Sequence, residues 1–417
     1  MNPLAPPGHP PRLPTHCEVL VIGAGPAGSA CAQWLAQAGV DVLLADQHVF
    51  PRDKVCGDGL IPDAPAALRR LGLQDEVMSQ AQHVQHVRCI GTRGGFVDVP
   101  GSMAVLPRKE LDHILYRSAL RAGAKPLVAA RFEAPLMDGE QVVGARLKVG
   151  DTLHEVPARW VVLATGAVPQ AMLAAGLCER RTPSGVALRG YVKNEAMVGR
   201  IDKLEIVWHK KMAGGYGWIF PAPGGVFNIG AGLTGSHEAP RDDRSRKHPV
   251  NLREMFEAFC DLHAPARELM AGGVLQGELK GAPLRCSLGG ARWSRPGMLA
   301  TGEAVGSTYA FTGEGIGKAM ETGLLAAQAI LQGPIASDAT DASVRQAYEA
   351  SLAALKPRFS LYEKAAHVNH RPWLTDLVIW RAKRSPAIRR RMAGVLEETQ
   401  NPGRLLSWRG ITKLMFD

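Results

Sequence analysis

Three glycines and one aspartate near the start of the chain have the spacing of a dinucleotide site. Gly23, Gly25 and Gly28 follow a short apolar run. Gly23 allows a tight turn, Gly25 lets the backbone approach a pyrophosphate, and Gly28 lets the following helix pack close to the strand. Asp46 ends a second apolar run 23 residues after Gly23, where an acid can accept hydrogen bonds from ribose hydroxyls. The pattern predicts a strand, a helix over 26–38 and a second strand around a bound dinucleotide.

A second acid and a second glycine-rich turn indicate which dinucleotide this is. Glu303 follows an apolar run, and the glycine-rich turn 311–317 precedes a helical stretch over 318–331. An acid in this place can hold the hydroxyls of a polyol chain, and the amino end of the helix can face an electron-rich ring. The first glycine motif is not repeated later in the sequence, so a separate NAD(P) fold is not predicted. Together the two motifs predict FAD as the cofactor.

A glycine-rich loop carries a cysteine that could take part in redox chemistry. Cys56 stands directly before Gly57 and close to Gly59. The thiol is either a proton donor, a residue of a mobile lid, or a small buried side chain in a turn. If it is reactive, Arg52 and Lys54 are expected to lower its pKa.

Three aromatic residues alternate along a predicted strand. Tyr216, Trp218 and Phe220 are two positions apart, so their side chains share one face of the strand. Hydride transfer to an apolar substrate needs a dry pocket over the flavin ring, and an aromatic face can form its wall. The alternative is that this face belongs to the core of a sheet.

These segments resemble the geranylgeranyl reductase family of FAD-dependent oxidoreductases, within the p-hydroxybenzoate hydroxylase-like flavoproteins. The loop 54–59 looks like the family's K-x-C-G-x-G, and 216–221 is similar to its Y-x-W-x-F-P. Pro107-Arg108 matches a cofactor-contacting arginine, and 302–303 with 313–316 fits the motif that closes the cofactor site. The resemblance covers residues 17–335 and more weakly the remainder.

The motifs and the resemblance together assign the site residues. Cofactor contacts are expected at Gly23, Gly25, Ala27, Gly28, Asp46, Arg52, Cys56, Gly57, Gly59, Arg108, Glu303, Gly313, Gly315 and Ile316. The residues expected to line the pocket or to donate a proton are Cys56, Tyr216, Trp218 and Phe220. No group of histidines or cysteines has metal-ligand spacing, so no metal is predicted.

The expected architecture is an α/β fold. It has a Rossmann-type FAD-binding domain, glutathione reductase-like and with p-hydroxybenzoate hydroxylase topology, an inserted sheet-based substrate domain and a C-terminal helical segment. The expected units are a flexible proline-rich tail at 1–14, a discontinuous FAD-binding domain at 15–75, 104–175 and 285–335, a substrate domain at 76–103 and 176–284, and a helical segment at 336–417. In that last segment helices are predicted over 344–355, 359–369, 373–383 and 386–399, with a short end from Arg404.

The resemblance implies reduction of carbon–carbon double bonds in a prenyl, lipid-like or quinone substrate by hydride from reduced flavin. The same cofactor frame supports a monooxygenase that hydroxylates an aromatic or amino-acid-derived substrate, including one carried on a peptide. A flavin-binding partner of another polypeptide, without catalysis, is a third hypothesis. The W-x-W-x-I-P motif of flavin halogenases does not occur in the chain. Electrons are expected from NAD(P)H or another external donor, such as a donor protein.

The net charge of +10 is concentrated at the carboxyl end of the chain. Residues 371–417 carry ten Lys and Arg against four Asp and Glu, and they hold three of the eight tryptophans. These helices either pack on the body with solvated arginines, or they form a peripheral membrane surface that meets anionic lipid. No nucleic-acid-reading motif accompanies the arginines, so nucleic acid is not an expected partner.

The cysteines and the hydropathy pattern suggest a location. Seven scattered cysteines without a C-x-x-C pair favour the reducing cytoplasm. The sequence contains no run of 18 apolar residues, so a membrane-spanning helix is not predicted. The proline-rich start lacks the apolar stretch of a signal peptide. A cytoplasmic protein, with peripheral contact at the inner face of the membrane as an option, is therefore expected.

Overall fold

The computed structural model describes residues 16–179, 182–235, 251–332 and 339–402. The predicted tail at 1–14 and the predicted short end from Arg404 lie outside the described residues. The strands, in chain order, are β1 (Cys17–Ile22), β2 (Val42–Asp46), β3 (Gly59–Leu60), β4 (Gln82–Ile90), β5 (Phe96–Val105), β6 (Lys125–Val128), β7 (Ala130–Asp138), β8 (Gln141–Val149), β9 (Thr152–Leu163), β10 (Gly185–Lys193), β11 (Leu204–Val207), β12 (Gly215–Ala222), β13 (Val226–Thr234), β14 (Val274–Leu275), β15 (Lys280–Leu284), β16 (Ser294–Arg295) and β17 (Met298–Ala300).

The helices follow the same chain order. They are α1 (Pro26–Gln37), α2 (Asp63–Arg70), α3 (Gln74–Met78), α4 (Arg108–Arg121), α5 (Gln170–Ala174), α6 (Leu252–Leu262), α7 (Ala264–Gly272), α8 (Ile316–Gln332), α9 (Ala339–Ala366), α10 (Pro372–Arg384) and α11 (Pro386–Leu396). Short 3-10 turns include Gly302–Val305 and His367–His370.

The first sheet has a parallel centre. Within the described residues its order is β16-β17-β9-β1-β2-β6, and β7 and β8 extend it as a hairpin paired to β9. Strand β1 runs parallel to both β2 and β9, with Val19 opposite Val42 and Trp160. Its strands are buried apolar runs, and they share one core with helix residues such as Leu35 and with hairpin residues such as Phe132 and Leu147. The carboxyl ends of β1, β2 and β9 therefore meet at one edge, where the glycine motif lies.

The second sheet is mostly antiparallel. Among the described residues its order is β14-β10-β13-β12-β11-β4-β5-β3, with β15 paired to β10. Helix α6 packs against one face through Met255, Phe256 and Phe259, which are buried with Ile219 and Ile229 of the sheet. The opposite face of this sheet contacts the loop that follows β2 and the loop that precedes α8.

Helices α1 and α8 lie in contact, and their glycines explain how closely they approach. A Cβ on Gly323 would lie 2.2 Å from the Ala27 carbonyl oxygen, and a Cβ on Gly302 would lie 2.6 Å from the Ala27 Cβ. Only a glycine leaves room for such backbone contact. The two predicted cofactor motifs, which are almost 300 residues apart in sequence, are thus brought together at Ala27.

The predicted break between helices at 344–355 and 359–369 is wrong, because α9 runs without interruption from Ala339 to Ala366. Pro357 lies inside this helix. Tyr348 and Phe359, on either side of the proline, are buried in the same core. Burial of one continuous apolar face outweighs the hydrogen bond that the proline removes.

Candidate functional site

The first glycine motif forms a tight turn whose shape depends on two missing side chains. Gly23 has φ +102°, and a Cβ on Gly28 would lie 1.7 Å from the Gly23 carbonyl oxygen. A Cβ on Gly25 would instead approach the Nη2 atoms of Arg52 at 3.6 Å and Arg108 at 3.9 Å. Two guanidinium groups therefore lie near the amino end of α1, where a pyrophosphate is expected to bind.

One buried carboxylate holds both guanidinium groups. Asp112 is fully buried, and its oxygens accept hydrogen bonds from Arg108 Nε at 2.6 Å and Nη2 at 2.9 Å. Arg52 Nη1 lies 2.9 Å from Asp112 Oδ2. The sequence analysis did not identify Asp112, although its position four residues after Arg108 on a predicted helix was a usable signal.

Asp46 lies at the end of β2, where the ribose contact is predicted. Its Oδ2 accepts a hydrogen bond from the Ala24 backbone N–H at 2.8 Å, and its Oδ1 accepts one from the His48 N–H at 2.9 Å. A carboxylate has about four acceptor positions, so these two bonds leave capacity for ribose hydroxyls.

The turn that contains Glu303 is lined with hydroxyl groups. Glu303 Oε1 accepts hydrogen bonds from the Arg285 N–H at 3.4 Å and the Thr308 hydroxyl at 3.3 Å. Nearby, the buried hydroxyls of Thr165 and Ser307 have no hydrogen-bond partner among the described residues. Buried polar groups are normally paired, so this turn suits a polar ligand such as a polyol chain.

The aromatic face of β12 meets the cysteine loop and the second glycine turn. A Cβ on Gly57 would lie 3.2 Å from Phe220 Cε2, and a Cβ on Gly313 would lie 2.7 Å from the Tyr216 hydroxyl oxygen. The Tyr216 hydroxyl donates a hydrogen bond to the Thr312 carbonyl at 2.7 Å. The structure thus brings three distant predicted segments into contact. Of the other predicted residues, Gly59 also faces Phe220, Gly315 faces Thr308, and Ile316 begins α8.

The opposite face of β12 packs on α6. A Cβ on Gly217 would lie 2.4 Å from the Phe259 ring. Tyr216 and Trp218 lie with ring centroids 6.3 Å apart on the other face, and Trp218 lies 6.4 Å from Phe220. The aromatic residues therefore face the predicted cofactor loops, while glycine and isoleucine face the helix.

A polar network from the second sheet holds the cysteine loop. Asp58 is fully buried and has φ +64°, and its Oδ2 accepts hydrogen bonds from the Tyr191 hydroxyl at 2.5 Å and Asn228 Nδ2 at 2.7 Å. Asn228 Nδ2 also donates to the Cys56 carbonyl at 2.8 Å, and its Oδ1 accepts from Trp218 Nε1 at 2.9 Å. The sequence analysis gave Asp58, Tyr191 and Asn228 no role, because the hydrogen bonds that join the sheet to the cysteine loop span more than 100 positions in the chain.

Burial controls the protonation of this loop. It raises the pKa of Asp58 to about 6, although the hydrogen bonds from Tyr191 and Asn228 oppose the shift. Burial also raises the pKa of the Cys56 thiol. Lys54 does lower this pKa, as expected, but the net shift is upward because desolvation of the thiolate outweighs the attraction of nearby Arg108 and Lys54.

Comparisons with known proteins give the relatives of this chain. Residues 16–202 match the FAD binding domain family. The chain is 32% identical over 338 residues to menaquinone reductase of Mycolicibacterium smegmatis, covering 77% of this chain and 78% of that protein. It is 28% identical over 336 residues to digeranylgeranylglycerophospholipid reductase 1 of Methanopyrus kandleri, covering 80% and 84%. Its fold matches a geranylgeranyl bacteriochlorophyll reductase-like protein of Thermoplasma acidophilum with TM-score 0.65 and 21% identity over 96% of both chains.

The chain belongs to the geranylgeranyl reductase family of FAD-dependent oxidoreductases. The predicted resemblance, the α/β flavoprotein fold and FAD as the cofactor are confirmed.

The residues of this family member fit FAD along its whole length. Arg52 and Arg108 would hold the pyrophosphate at α1, and Asp46 would hold the adenosine ribose. Glu303 and the unpaired hydroxyls near it would hold the ribityl chain. The glycine-rich turns at Cys56 and Gly313 lack bulky side chains beside the aromatic face, so their backbone would be accessible to the flavin ring system.

A polar cavity of about 180 Å³ lies near the aromatic face of this oxidoreductase. It lies between the ends of β10 and β13, the loop after β15, and the end of α9. Cys286, which lines it, is close enough to Tyr216 for the charge of its thiolate to affect the pKa of the Tyr216 hydroxyl. The other polar side chains that line the cavity are Ser184, Thr234, Ser287, Lys356, Glu363, His367 and His370. An apolar wall and a polar compartment therefore lie side by side.

Proposed function

We propose that this protein uses reduced FAD to saturate carbon–carbon double bonds in the prenyl chain of a lipid-like or quinone substrate. The observation that carries the proposal is the aromatic face of β12 against the cysteine loop and the Gly313 turn. Two curated relatives are named for reduction of menaquinone and of a digeranylgeranyl lipid, both of which carry prenyl chains. An apolar wall beside the expected ring position suits a flexible hydrocarbon chain and excludes water.

The cysteine loop is suited to hold the proton of this reaction. Saturating a double bond adds a hydride to one carbon and a proton to the other. Reduced FAD, when bound, supplies the hydride. Burial keeps the Cys56 thiol protonated, and the Arg108 side chain contacts the thiol and would stabilise the thiolate that remains after proton donation. Cys56 is therefore the proposed proton donor, reprotonated from solvent after each turnover.

The other site residues would bind and orient the substrate. Tyr216, Trp218 and Phe220 would hold the hydrocarbon part against the ring. The polar cavity beside Cys286 would accept the polar end of an amphiphilic substrate, since its hydroxyl, lysine and histidine groups can donate hydrogen bonds to oxygen. We propose that the electrons come from an external donor, either NAD(P)H or a donor protein.

Product mass and oxygen reactivity test this function against hydroxylation. The FAD-loaded enzyme is reduced without oxygen and mixed with menaquinone or a geranylgeranyl lipid. A product heavier by two hydrogen atoms supports the proposal. A product heavier by one oxygen atom, formed when oxygen is admitted and accompanied by a stabilised flavin peroxide spectrum, would replace it with the monooxygenase alternative.

Substitution of Cys56 tests its assigned role. Cys56→Ala should bind FAD within about twofold of the wild type, because Gly57 and Gly59 set the backbone of the loop, and should lose at least about 100-fold in turnover. Cys89→Ala is the matched control, a partly buried thiol in β4 that should leave turnover unchanged. Full turnover by the Cys56 variant would remove it from the mechanism.

The C-terminal helices present a surface that we propose meets the membrane where a lipid substrate enters. The apolar side of these helices packs on the body, since Ile379, Ala382 and Ile388 are buried against β5. Trp373 and Trp380 remain 56% and 44% exposed, with Arg381 and Arg384 stacked near the Trp380 ring. Exposed tryptophan beside arginine suits an anionic interface. Within the described residues, none of the helices is both long and apolar enough to cross a bilayer.

Vesicle binding tests the membrane proposal. The wild type should co-sediment with phosphatidylglycerol-rich vesicles and much less with phosphatidylcholine vesicles. A W373S/W380S double variant should lose at least tenfold in binding while retaining FAD. Val274→Ser, which changes an exposed apolar residue on β14, is the control. Unchanged binding by the double variant would disprove the proposal and would leave a cytoplasmic protein without this contact.

A further inference from the structure

Three carboxylates meet beneath the second glycine turn, outside the residues assigned above. Asp63 starts α2, Glu314 lies between Gly313 and Gly315, and Glu398 follows α11. One carboxylate oxygen from each lies within 4.8 Å of the others. Glu314 is 9% exposed, so this cluster is shielded from water.

Within the described residues, Asp63 has no hydrogen-bond donor and Glu314 has one on only one of its two oxygens. Among the described residues, no donor group forms a hydrogen bond to either oxygen of Asp63 or to Oε1 of Glu314. Asp63 and Glu314 nevertheless contact each other directly. Two ionised carboxylates cannot lie in contact in a buried site, so a proton must bind between them. Burial and the charge of Asp63 raise the pKa of Glu314 well above its usual range, and burial raises the pKa of Asp63 to about 6.

The surrounding cations balance only part of the charge. Lys318 Nζ lies 2.7 Å from Glu398, 2.8 Å from Glu321 and 3.9 Å from Asp63, and Arg358 pairs with Glu398. Four carboxylates thus face two cations. The other groups that face the cluster are the hydroxyls of Tyr309 and Tyr362, and the buried Tyr309 hydroxyl has no partner in the described residues. The ammonium group of Lys318 already lies against Glu398 and near Asp63, which favours a proton as the remaining balancing charge.

Two hydrogen bonds through Thr312 connect the carboxylate cluster to Tyr216, on the side of the turn where the flavin is expected to bind. Thr312 Oγ1 donates a hydrogen bond to Glu314 Oε2 at 3.4 Å, and the Thr312 carbonyl accepts one from Tyr216 at 2.7 Å. The charge of Glu314 also reaches Tyr216, where it raises the pKa of the hydroxyl. Glu314 stands two residues before Ile316, where α8 begins and its amino end faces the site.

We propose that Asp63 and Glu314 share a proton next to the Gly313–Ile316 turn, that this pair sets the charge beside bound FAD, and that the pair takes the shared proton back when FAD is reduced at a pH where the pair has lost it. The inference rests on the proposed function, since it requires FAD with its ring at this turn. Two-electron reduction of FAD to its anionic reduced form consumes one proton. At a pH where the oxidised enzyme has lost the shared proton, reduction adds negative charge nearby and draws that proton back. The reaction then consumes two protons per two electrons.

The pH dependence of the flavin midpoint potential tests this coupling. In the wild type the slope of potential against pH should double above the pH at which the pair ionises. In Glu314→Gln the doubling should be absent, because the amide cannot ionise, and the potential at high pH should be higher. Glu321→Gln, which removes another acid that contacts Lys318 on the same helix, should retain the doubled slope, because Asp63 and Glu314 are both still present. A doubled slope retained in Glu314→Gln would overturn the proposal, and Asp63→Asn offers the same test if that variant fails to fold.

Infrared spectroscopy of the FAD-free protein tests the shared proton separately. At pH 8, above the pKa of Asp58, the wild type should show the carbonyl band of a buried carboxylic acid, and Glu314→Gln should lack it. A missing band in the wild type would overturn the shared proton even if FAD binds. A band present in a protein that binds no FAD would refute the proposed function but not the shared proton. Loss of the band on adding Mg²⁺ or Mn²⁺ would show a cation site and contradict the proposal.

Discussion

Two regions of the proposed FAD site are built in different ways. The phosphate end comprises Gly23, Gly28 and the arginines held by Asp112, and the ring end comprises the cysteine loop, the aromatic face of β12 and the second glycine turn. At the phosphate end, backbone contacts of Gly23 and Gly28 set the turn, and Asp112 pairs with two arginines. At the ring end, segments from four parts of the chain meet, and their buried acids have raised pKa values. The phosphate end therefore has fixed charges and a rigid shape suited to binding. The ring end can change protonation near neutral pH, which suits redox chemistry.

The largest effect should come from the glycine that allows α1 to pack. Gly28→Ala places a Cβ 1.7 Å from the Gly23 carbonyl and should destabilise the protein by more than about 4 kcal/mol and abolish FAD binding. Gly25→Ala meets only arginine side chains at 3.6 Å or more and should fold normally. Thermal unfolding and FAD titration of both variants measure this contrast. Equal stability of the two would show that the phosphate end is not rigid.

Removing the carboxylate that pairs the arginines should be the next largest effect. Asp112→Asn leaves Arg108 buried without its partner and should cost about 3 kcal/mol of stability. FAD should bind roughly 10- to 100-fold more weakly because both guanidinium groups lose their position. Flavin fluorescence titration of the apoprotein measures this affinity. Asp98→Asn breaks a half-exposed pair with Arg88 and should leave FAD affinity unchanged.

The raised pKa of Asp58 at the ring end should make the free energy of unfolding depend on pH. Because burial raises the pKa of Asp58 to about 6, the folded protein binds that proton more tightly than the unfolded chain, in which aspartate titrates at about 3.9. The stabilisation is complete below about pH 4 and is lost as pH rises to about 6, a change of about 3 kcal/mol. Asp58→Asn should lack this change, whatever its stability at neutral pH. Urea unfolding at a series of pH values compares the two proteins.

Asp98 provides a control of opposite sign for that experiment. The Arg88 guanidinium lowers the pKa of Asp98, so its stabilisation is present above the unfolded pKa and is lost as pH falls. Asp98→Asn should therefore remove a change of opposite sign that lies below about pH 4, and it should keep the wild-type change between about pH 4 and 6. If Asp58→Asn shows the wild-type pH profile, then the ring end does not change protonation as argued.

The smallest effect should come from one hydroxyl group at the contact between β12 and the second glycine turn. Tyr216→Phe removes the hydrogen bond to the Thr312 carbonyl and should cost about 1 kcal/mol. FAD affinity should stay within about threefold, because the phosphate end is untouched. A larger loss of affinity would mean that the ring end also determines binding, which would weaken the distinction between the two regions.

Much of the phosphate end could be predicted from the sequence because its determinants are local. The glycine spacing, the flanking strands and Asp46 lie within one βαβ unit, and the predicted helix over 26–38 differs from α1 by one residue. The helical stretch predicted over 318–331, directly after the second glycine-rich turn, likewise lies within α8. In contrast, α9 was predicted as two helices, since only tertiary packing shows that one apolar face continues past Pro357.

By itself the sequence determined the cofactor, the class of fold and the family, because short-range spacing and motif order carry that information. Only the tertiary structure decided which polar groups act together. Asp58 meets Tyr191 and Asn228, and Asp63 meets Glu314, across separations of more than 100 residues. Such contacts leave no periodic signal along the chain. The raised pKa values at the ring end follow from these contacts and from burial, so they depend on the folded arrangement.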